Sequence, residues 1–366
     1  MVKASINGFG RIGRLALRAA LLSHRDSLEI VAINTSGSAE VDSWAYLFKH
    51  DTTYRQFPGE VSFTKTREAK EATDEMPEIG KLIVNGKSIS ILAQRDPEKL
   101  PWGQHNVEVV IECTGVFTDE EGAKKHAKAG AKRVVISAPA KGGNVNTYVL
   151  GVNEYNGEAQ VLSNASCTTN CIAPVAAVIH SAFGIEKAMM TTIHSYTNDQ
   201  ALQDDAHKDP RRGRAAAYNI VPTTSGAALA VTETIPQLKG LFDGHALRVP
   251  TISGSITDFT FLLKKEVTVD QINDALKAAT ENPIYKGILE TTEEELVSSD
   301  IIGRTESSIV DLQFTQVVGG NLVKIFAWYD NEWGYANRLV EQVIRVGESL
   351  HETDAPTDPI TKEFSK

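Results

Sequence analysis

Apolar residues alternate from Lys3 to Asn7, and a helical spacing of apolar positions follows from Arg14 to Leu22. Alternation resumes from Leu28 to Asn34, so the chain opens as strand, helix, strand. Val41 to Phe48 again has helical spacing. Lys81 to Leu92 reads as a hairpin about Asn85-Gly86, a dipeptide suited to a type I′ turn. Val107 to Cys113 and Arg133 to Ser137 are near-continuous apolar runs, the pattern of strands buried on both faces of a parallel sheet, with a helix from Glu120 to Ala129 between them. Later, Ile172 to Ile179 is an apolar helical run with Pro174 near its start, which predicts a kink or a restart. A strand begins at Ala188 to Thr192. Ser255 to Leu263, Ser308 to Val318 and Leu322 to Trp328 alternate and predict a half-covered antiparallel sheet. A last helix runs from Ala336 to Ser349, and the tail from His351 is polar and frayed. Lys65 to Glu78 is charged with little periodicity, an exposed insertion or hairpin extension.

The first turn of this pattern carries chemistry. Gly8-Phe9-Gly10-Arg11-Ile12-Gly13 lies between a strand and a helix, the setting in which a Gly-x-Gly-x-x-Gly turn binds a dinucleotide. Its glycines, Gly8, Gly10 and Gly13, permit the tight turn and let the backbone approach a pyrophosphate at the helix N-terminus. Thr114, in the small-residue turn after the Val107 to Cys113 strand, stands where ligands sit in such sheets.

A second segment is Ser163 to Pro174, a polar run around Cys167. Ser166 reads as a helix N-cap and Cys167 as part of the first turn, where unpaired N–H groups and the dipole favour a thiolate. The strand at Ala188 to Thr192 delivers His194. Thr197 to Pro222 is a long loop with Arg211, Arg212 and Arg214, open as a solvated face, a buried polar interface or an anion site. Ser225 and Gly226 precede an Ala-rich helix, where hydroxyls and free N–H groups suit a phosphate.

The 366 residues suffice for two cores, and 42% hydrophobic with 23% charged residues is ordinary for a globular protein. The net charge of -10 argues against a nucleic-acid or anionic-membrane partner, so an anionic substrate needs local arginines. Three cysteines without metal-type spacing give neither a disulfide framework nor a metal site. With no long apolar run and no signal peptide ahead of the first strand, a cytoplasmic protein is expected.

Taken together, Ile6 to Gly13, Ser163 to Cys171, His194-Ser195-Tyr196-Thr197, Ser225 to Ala228, Arg248-Val249-Pro250 and Trp328 to Glu332 resemble phosphorylating glyceraldehyde-3-phosphate dehydrogenases, from Met1 to about Ser349. The resemblance implies an α/β fold. An N-terminal Rossmann dinucleotide-binding domain spans 1–165, joined by the last helix, 331–350. An α/β catalytic domain with a largely antiparallel sheet spans 166–330, and 351–366 is a polar tail. It implies Cys167 as nucleophile and His194 as its base, in a homotetramer acting on glyceraldehyde 3-phosphate and inorganic phosphate. Thr197 and Arg248 are implied for the substrate's own phosphate. Ser166, Thr168, Ser225 and Gly226 are implied for the attacking phosphate. Arg11, Ile12, Ser137 and Asn331 are implied as cofactor contacts, and Cys171 as buried and inert. The alternatives are an erythrose-4-phosphate dehydrogenase of the same family and a non-catalytic dinucleotide- or RNA-binding protein.

The cofactor is NAD or NADP. Members specific for NAD carry aspartate after the asparagine that ends the second strand, and proline in the long loop. Here Asn34 is followed by Thr35 and Ser36, and Ala206 stands in the loop. With both obstacles absent and no arginine following Thr35, relaxed specificity favouring NADP is expected.

Overall fold

The computed structural model describes residues 1–353. The chain begins with β1 (Val2–Asn7), α1 (Arg11–Ser23), β2 (Leu28–Thr35), α2 (Val41–Lys49), β3 (Val61–Lys65), β4 (Glu78–Val84), β5 (Lys87–Ala93) and β6 (Val109–Glu112). It continues with α3 (Glu120–Lys128), β7 (Arg133–Ile136), β8 (Asn146–Thr147) and β9 (Val161–Ser163). These strands form one sheet in the order β3-β4-β5-β2-β1-β6-β7-β9-β8. Pairing is parallel from β5 to β8 and antiparallel only at the β3-β4-β5 edge. The order reverses between β1 and β6, and a ligand crevice belongs outside the carboxyl ends there.

The remainder runs α4 (Cys167–Phe183), β10 (Ile185–Ser195), β11 (Val221–Thr224), α5 (Ala227–Thr234), β12 (Phe242–Val249), β13 (Ser255–Leu263), α6 (Val269–Thr280), β14 (Leu289–Thr292), β15 (Ser308–Val318), β16 (Leu322–Tyr329) and α7 (Trp333–Thr353). The second sheet has the order β11-β12-β10-β13-β16-β15-β14, parallel at β10/β12 and β14/β15 and antiparallel elsewhere. Phe259, Phe261, Val323, Ile325 and Ala327 face a buried core shared with α4, while Met189 and Phe314 on these strands are exposed. The sheet is thus covered on one face, as its alternation predicts. α7 packs Leu339, Val340, Val343 and Val346 into the core of the first sheet.

Three sequence expectations change. Helix α4 runs unbroken through Pro174. Nearly every residue from Thr168 to Ile179 is buried, and that packing outweighs a lost backbone bond of about 3 kcal/mol. Helix α7 reaches Thr353, so the start of the stretch read as a tail is helical; the rest of it lies outside the described residues. The segment 65–78 does extend the β3–β4 hairpin, yet it is anchored. Ala69 is buried and donates its N–H to the Glu40 carboxylate at 3.1 Å, and Asp74 Oδ1 accepts from Gln94 Nε2 at 2.9 Å. The Asn85-Gly86 turn has φ of 49° and 80°, the left-handed pair that a type I′ hairpin requires. No helix among the described residues is long and apolar enough to cross a membrane.

The turn after β1 is the tightest approach in the first sheet. Gly8 has φ +98°, and a Cβ on it would lie 2.8 Å from the Cys113 carbonyl carbon. A Cβ on Gly13 would lie 2.1 Å from the Gly8 carbonyl oxygen, backbone that cannot swing aside. Gly13→Ala is therefore expected to weaken dinucleotide binding by about tenfold or more while the protein still folds, since it displaces the turn and not the core. Calorimetric titration with NAD and a thermal melt check both halves of that statement.

Candidate functional site

Cys167 is placed by the start of α4. Ala165, immediately before the cap, is fully buried at φ +57°, a left-handed conformation that costs an alanine about 1 kcal/mol. The Tyr335 hydroxyl donates to its carbonyl at 2.9 Å and helps hold the turn. Ser166 Oγ then accepts the Thr169 N–H at 3.0 Å, the N-cap that the sequence predicts. His194 comes from the carboxyl end of β10, and its Nε2 lies 3.4 Å from Cys167 Sγ. His194 Nδ1 is 2.6 Å from the Ser195 carbonyl. Arg248 Nη1, which only donates, is also 3.2 Å from Nδ1, but the carbonyl is the closer partner and only accepts, which assigns the hydrogen to Nδ1 and leaves the Nε2 lone pair toward the thiol.

Burial pushes the Cys167 thiol up, against the pull of Arg248 and the Thr168 N–H. Burial and then Arg248 pull His194 down to about 3. Taken singly, neither group ionises readily, which differs from the expectation that the helix start alone favours a thiolate. Proton transfer from Sγ to Nε2 changes the balance, because it creates opposite charges in contact.

Arg248 extends from β12, beside β10. Its Nη1 donates to Thr197 Oγ1 at 2.7 Å and to the Ser195 carbonyl at 3.2 Å. Among the described residues no carboxylate lies within ion-pair distance of it, and its Nε is buried without a hydrogen-bond partner. An unneutralised guanidinium beside the thiol is an anion site. Burial alone would raise the Asp199 carboxyl. The Thr197 hydroxyl, Arg248 and Arg212 together hold it below the ordinary range. Arg212 of the long loop binds Asp199 Oδ2 at 2.6 Å and Thr223 Oγ1 at 2.7 Å, and so stands behind Asp199. Arg214 pairs with exposed Asp204, and Arg211 is exposed.

Cys167, His194, Thr197, Asp199 and Arg248 line a cavity of about 770 Å³ that also takes in Arg11, Ile12, Thr114, Ser137, Ser166 and Asn331. Asn331 Oδ1 accepts from Ser255 Oγ at 2.8 Å, which leaves its Nδ2 to donate elsewhere. The Arg11 guanidinium is taken up by Asp51 and Glu332, so a contact of this residue with a dinucleotide rests on its free N–H at the start of α1. A second cavity of about 420 Å³ lies across the shared wall of Cys113 and Thr114, lined by Gly8, Gly10, Asn34, Thr35 and Ser36. The two cavities and the close-set glycines fit an extended dinucleotide. Cys171 is buried and its thiol is pushed up to about 12 by burial, consistent with an inert side chain.

Not every predicted residue faces this space. The Thr168 hydroxyl is buried 2.9 Å from Tyr329 OH, and Ser225 Oγ accepts the Ala227 N–H at 3.2 Å at the head of α5. Thr168, Ser225 and Gly226 do not line the cavity. The Thr169 hydroxyl links the two helix starts, lying 2.8 Å from Ser166 Oγ and 3.5 Å from the Ala227 carbonyl. Thr35 lines the second cavity, but its hydroxyl donates to the Leu92 carbonyl at 3.0 Å on the neighbouring strand. Sequence reasoning missed Arg95, Asp199 and Ser255. Arg95 follows β5 and reaches Ser36 only because β2 pairs β5 with Thr35 opposite Ala93.

Comparison with known proteins agrees with this arrangement. The family model for the NAD binding domain of glyceraldehyde 3-phosphate dehydrogenase matches residues 2–120, and that for its C-terminal domain matches residues 166–331. The chain belongs to the glyceraldehyde-3-phosphate dehydrogenase family. It is 50% identical over 343 residues to the glyceraldehyde-3-phosphate dehydrogenase of Geobacillus stearothermophilus, covering 93% of this chain and 96% of that one. The enzyme of the same name from Streptomyces coelicolor is 48% identical over 352 residues, covering 95% and 99%. That from Zymomonas mobilis is 46% identical over 351 residues, with the same coverage. As a family member with an NAD-binding domain, the chain is an oxidoreductase with an NAD-type cofactor.

The Cys167–His194 geometry predicts a pH signature. In His194→Asn, burial leaves the thiol above its ordinary value with no base beside it. Its alkylation by iodoacetamide should be slow at pH 7 and climb as pH rises through 9 and beyond, because the thiolate forms only there. Wild type should retain fast alkylation toward neutral pH. Identical pH–rate profiles for the two proteins would show that His194 does not govern the thiol.

Proposed function

We propose that the protein is a phosphorylating glyceraldehyde-3-phosphate dehydrogenase. It oxidises the aldehyde with a nicotinamide dinucleotide and inorganic phosphate to the acyl phosphate 1,3-bisphosphoglycerate. The observation that carries this reading is a thiol 3.4 Å from an imidazole lone pair, with the unpaired Arg248 beside them. Cys167 Sγ adds to the aldehyde carbon as His194 Nε2 takes the thiol proton and returns it to the carbonyl oxygen, which leaves a hemithioacetal hydroxyl and a neutral imidazole. The bound dinucleotide supplies the hydride acceptor. His194 accepts the hydroxyl proton as hydride leaves the carbon, so that a thioester remains on Cys167. Phosphate then displaces sulfur. Arg248 and Thr197 hold the substrate's own phosphate, and Ser166 at the start of α4, the one of the four predicted residues that lines the cavity, meets the incoming one. Asn331 orients the nicotinamide amide through its free Nδ2. Residues 1–165 with 331–350 act as the dinucleotide-binding unit and 166–330 as the catalytic unit.

The long loop carries exposed apolar side chains, Leu202 at 78%, Tyr218 at 87% and Ile220 at 66% accessibility, which supports a homotetramer in which this loop meets a neighbouring copy. At the adenosine end the second cavity has no carboxylate on its lining, and Arg95 and Ser36 are exposed there. The enzyme therefore uses NADP at least as well as NAD, with Arg95 meeting the 2′-phosphate in place of the arginine that is absent after Thr35.

Two variants test these assignments. Arg248→Leu should raise KM for glyceraldehyde 3-phosphate by about ten- to a hundredfold and affect a non-phosphorylated aldehyde much less, through its pull on Cys167 and His194 alone, since the charge-assisted contact exists only with the phosphate. Equal losses on both aldehydes would remove Arg248 from the substrate site. Arg95→Ala should lower kcat/KM for NADP by about tenfold and for NAD by less than about twofold. An unmoved NADP to NAD ratio would contradict the adenosine-end reading. Initial rates with glyceraldehyde 3-phosphate and erythrose 4-phosphate, each with and without phosphate, test the substrate.

A further inference from the structure

Asn331 stands in the short connection between β16, which ends at Tyr329, and α7, which begins at Trp333. It lines the same cavity as Cys167 and His194, so its amide lies at the reacting end of the cleft. To orient a ring there, the amide has to keep its place to within about 0.5 Å. Ser255 Oγ holds its Oδ1 at 2.8 Å, and the backbone beneath it is held through the residues on either side. Asp330, at 1% accessibility, gathers five donors. Its Oδ1 accepts the Glu332 and Trp333 N–H groups at 2.9 and 2.8 Å, the Ser253 hydroxyl at 3.1 Å and the Tyr54 hydroxyl at 2.7 Å. Its Oδ2 accepts the Gly303 N–H at 2.8 Å. On the other side of Asn331, Glu332 accepts from Arg11 Nε at 2.9 Å.

Of these donors on Asp330, only Tyr54 comes from the half of the chain that builds the first sheet. It sits in the loop between α2 and β3, and that loop is fixed at several points. Asp51 Oδ1 accepts the Thr53 and Tyr54 N–H groups at 2.9 and 3.0 Å. Arg55 then takes φ +62°, a left-handed conformation that costs about 1 kcal/mol. Buried Arg18 holds it there, donating to the Arg55 carbonyl at 3.1 Å and to the Phe48 carbonyl at 2.6 Å. The Tyr54 ring meets the Arg11 guanidinium at 5.8 Å and the Trp333 ring at 5.7 Å between centroids. Its hydroxyl has one hydrogen, which goes to the Asp330 carboxylate, and its oxygen accepts the Trp333 N–H at 3.2 Å. Tyr54 is not part of the cavity lining, so its effect on a ligand passes through the connection that it holds.

We propose that Tyr54 is a positioning residue for the nicotinamide end of the dinucleotide: through Asp330, its hydroxyl fixes the backbone that carries Asn331 to the sheet that binds the adenosine and the phosphates. The inference rests on the reading of Asn331 as the partner of the nicotinamide amide. A dinucleotide seated on the first sheet then meets an amide whose place is set from that same sheet, and the ring reaches the carbon on Cys167 in one orientation. Ser253 bonds the same carboxylate from the turn before β13, on Asp330's own side of the cleft, and gives no such reference to the first sheet.

The test compares, without substrate, calorimetric binding of NAD⁺ and of ADP-ribose, which is the dinucleotide without its nicotinamide. In Tyr54→Phe the NAD⁺ dissociation constant should rise by about threefold or more, while that for ADP-ribose stays within about 1.5-fold of wild type. Hydride transfer in a single turnover with phosphate withheld should slow by about tenfold. The substitution deletes one oxygen and leaves the other donors on Asp330 in place, so the fold survives, which a thermal melt checks. Ser253→Ala removes a neighbouring bond to the same carboxylate and should leave the ratio of the NAD⁺ to the ADP-ribose dissociation constant near wild type. In Asn331→Ala that ratio should rise by about tenfold. A ratio unmoved in Y54F beside a raised one in N331A overturns the proposal, and so does a ratio raised as far in S253A as in Y54F. A ratio unmoved in N331A overturns instead the assignment of this amide to the nicotinamide.

Discussion

The short contact between Cys167 and His194 is the constraint on which the site depends, and two separate architectures meet to make it. α4 must start at the seam between the sheets, with its first turn pointing into the cleft. β10 must end within reach of it, and β12 must run parallel beside β10 so that Arg248 arrives next to His194. The registers of the second sheet are fixed by alternate buried residues such as Phe259 and Ile325, because a slip of one would expose the whole set. The left-handed Ala165 and the Ser166 cap aim the thiol. Burial penalises the charge on each group singly, while their contact favours the oppositely charged pair.

The first sheet solves a different problem. It must hold a polyanionic cofactor in a protein whose net charge is -10. Its answer uses backbone more than side chains: free N–H groups at the start of α1, approached through Gly8 and Gly13. Arg11, the arginine of that turn, is consumed by Asp51 and Glu332 and serves to tie α1 to the second half of the chain. The charged segment 65–78, featureless by periodicity, braces the same region from behind through Ala69 and Asp74.

Local signals were legible and long-range pairings were not. The Gly8 to Gly13 turn, the Ser166 cap and the Asn85-Gly86 hairpin each depend on residues adjacent in sequence, and each stands where its pattern places it. Arg95 has no such signal. It joins Ser36 through a parallel pairing of β2 with β5, which no local pattern encodes. The Thr35 hydroxyl is likewise engaged across that pairing, by the carbonyl of Leu92. Pro174 shows tertiary packing overriding a local preference.

The central claim is that Cys167 carries the oxidised substrate between hydride transfer and phosphate attack. Intact-mass and peptide mass spectrometry after mixing the enzyme with glyceraldehyde 3-phosphate and oxidised dinucleotide, with phosphate withheld, tests it directly. The account predicts one equivalent of reduced dinucleotide per subunit and a matching phosphoglyceroyl adduct on the Cys167 peptide that disappears when phosphate is added. Continued formation of reduced dinucleotide with no adduct on Cys167 would contradict it.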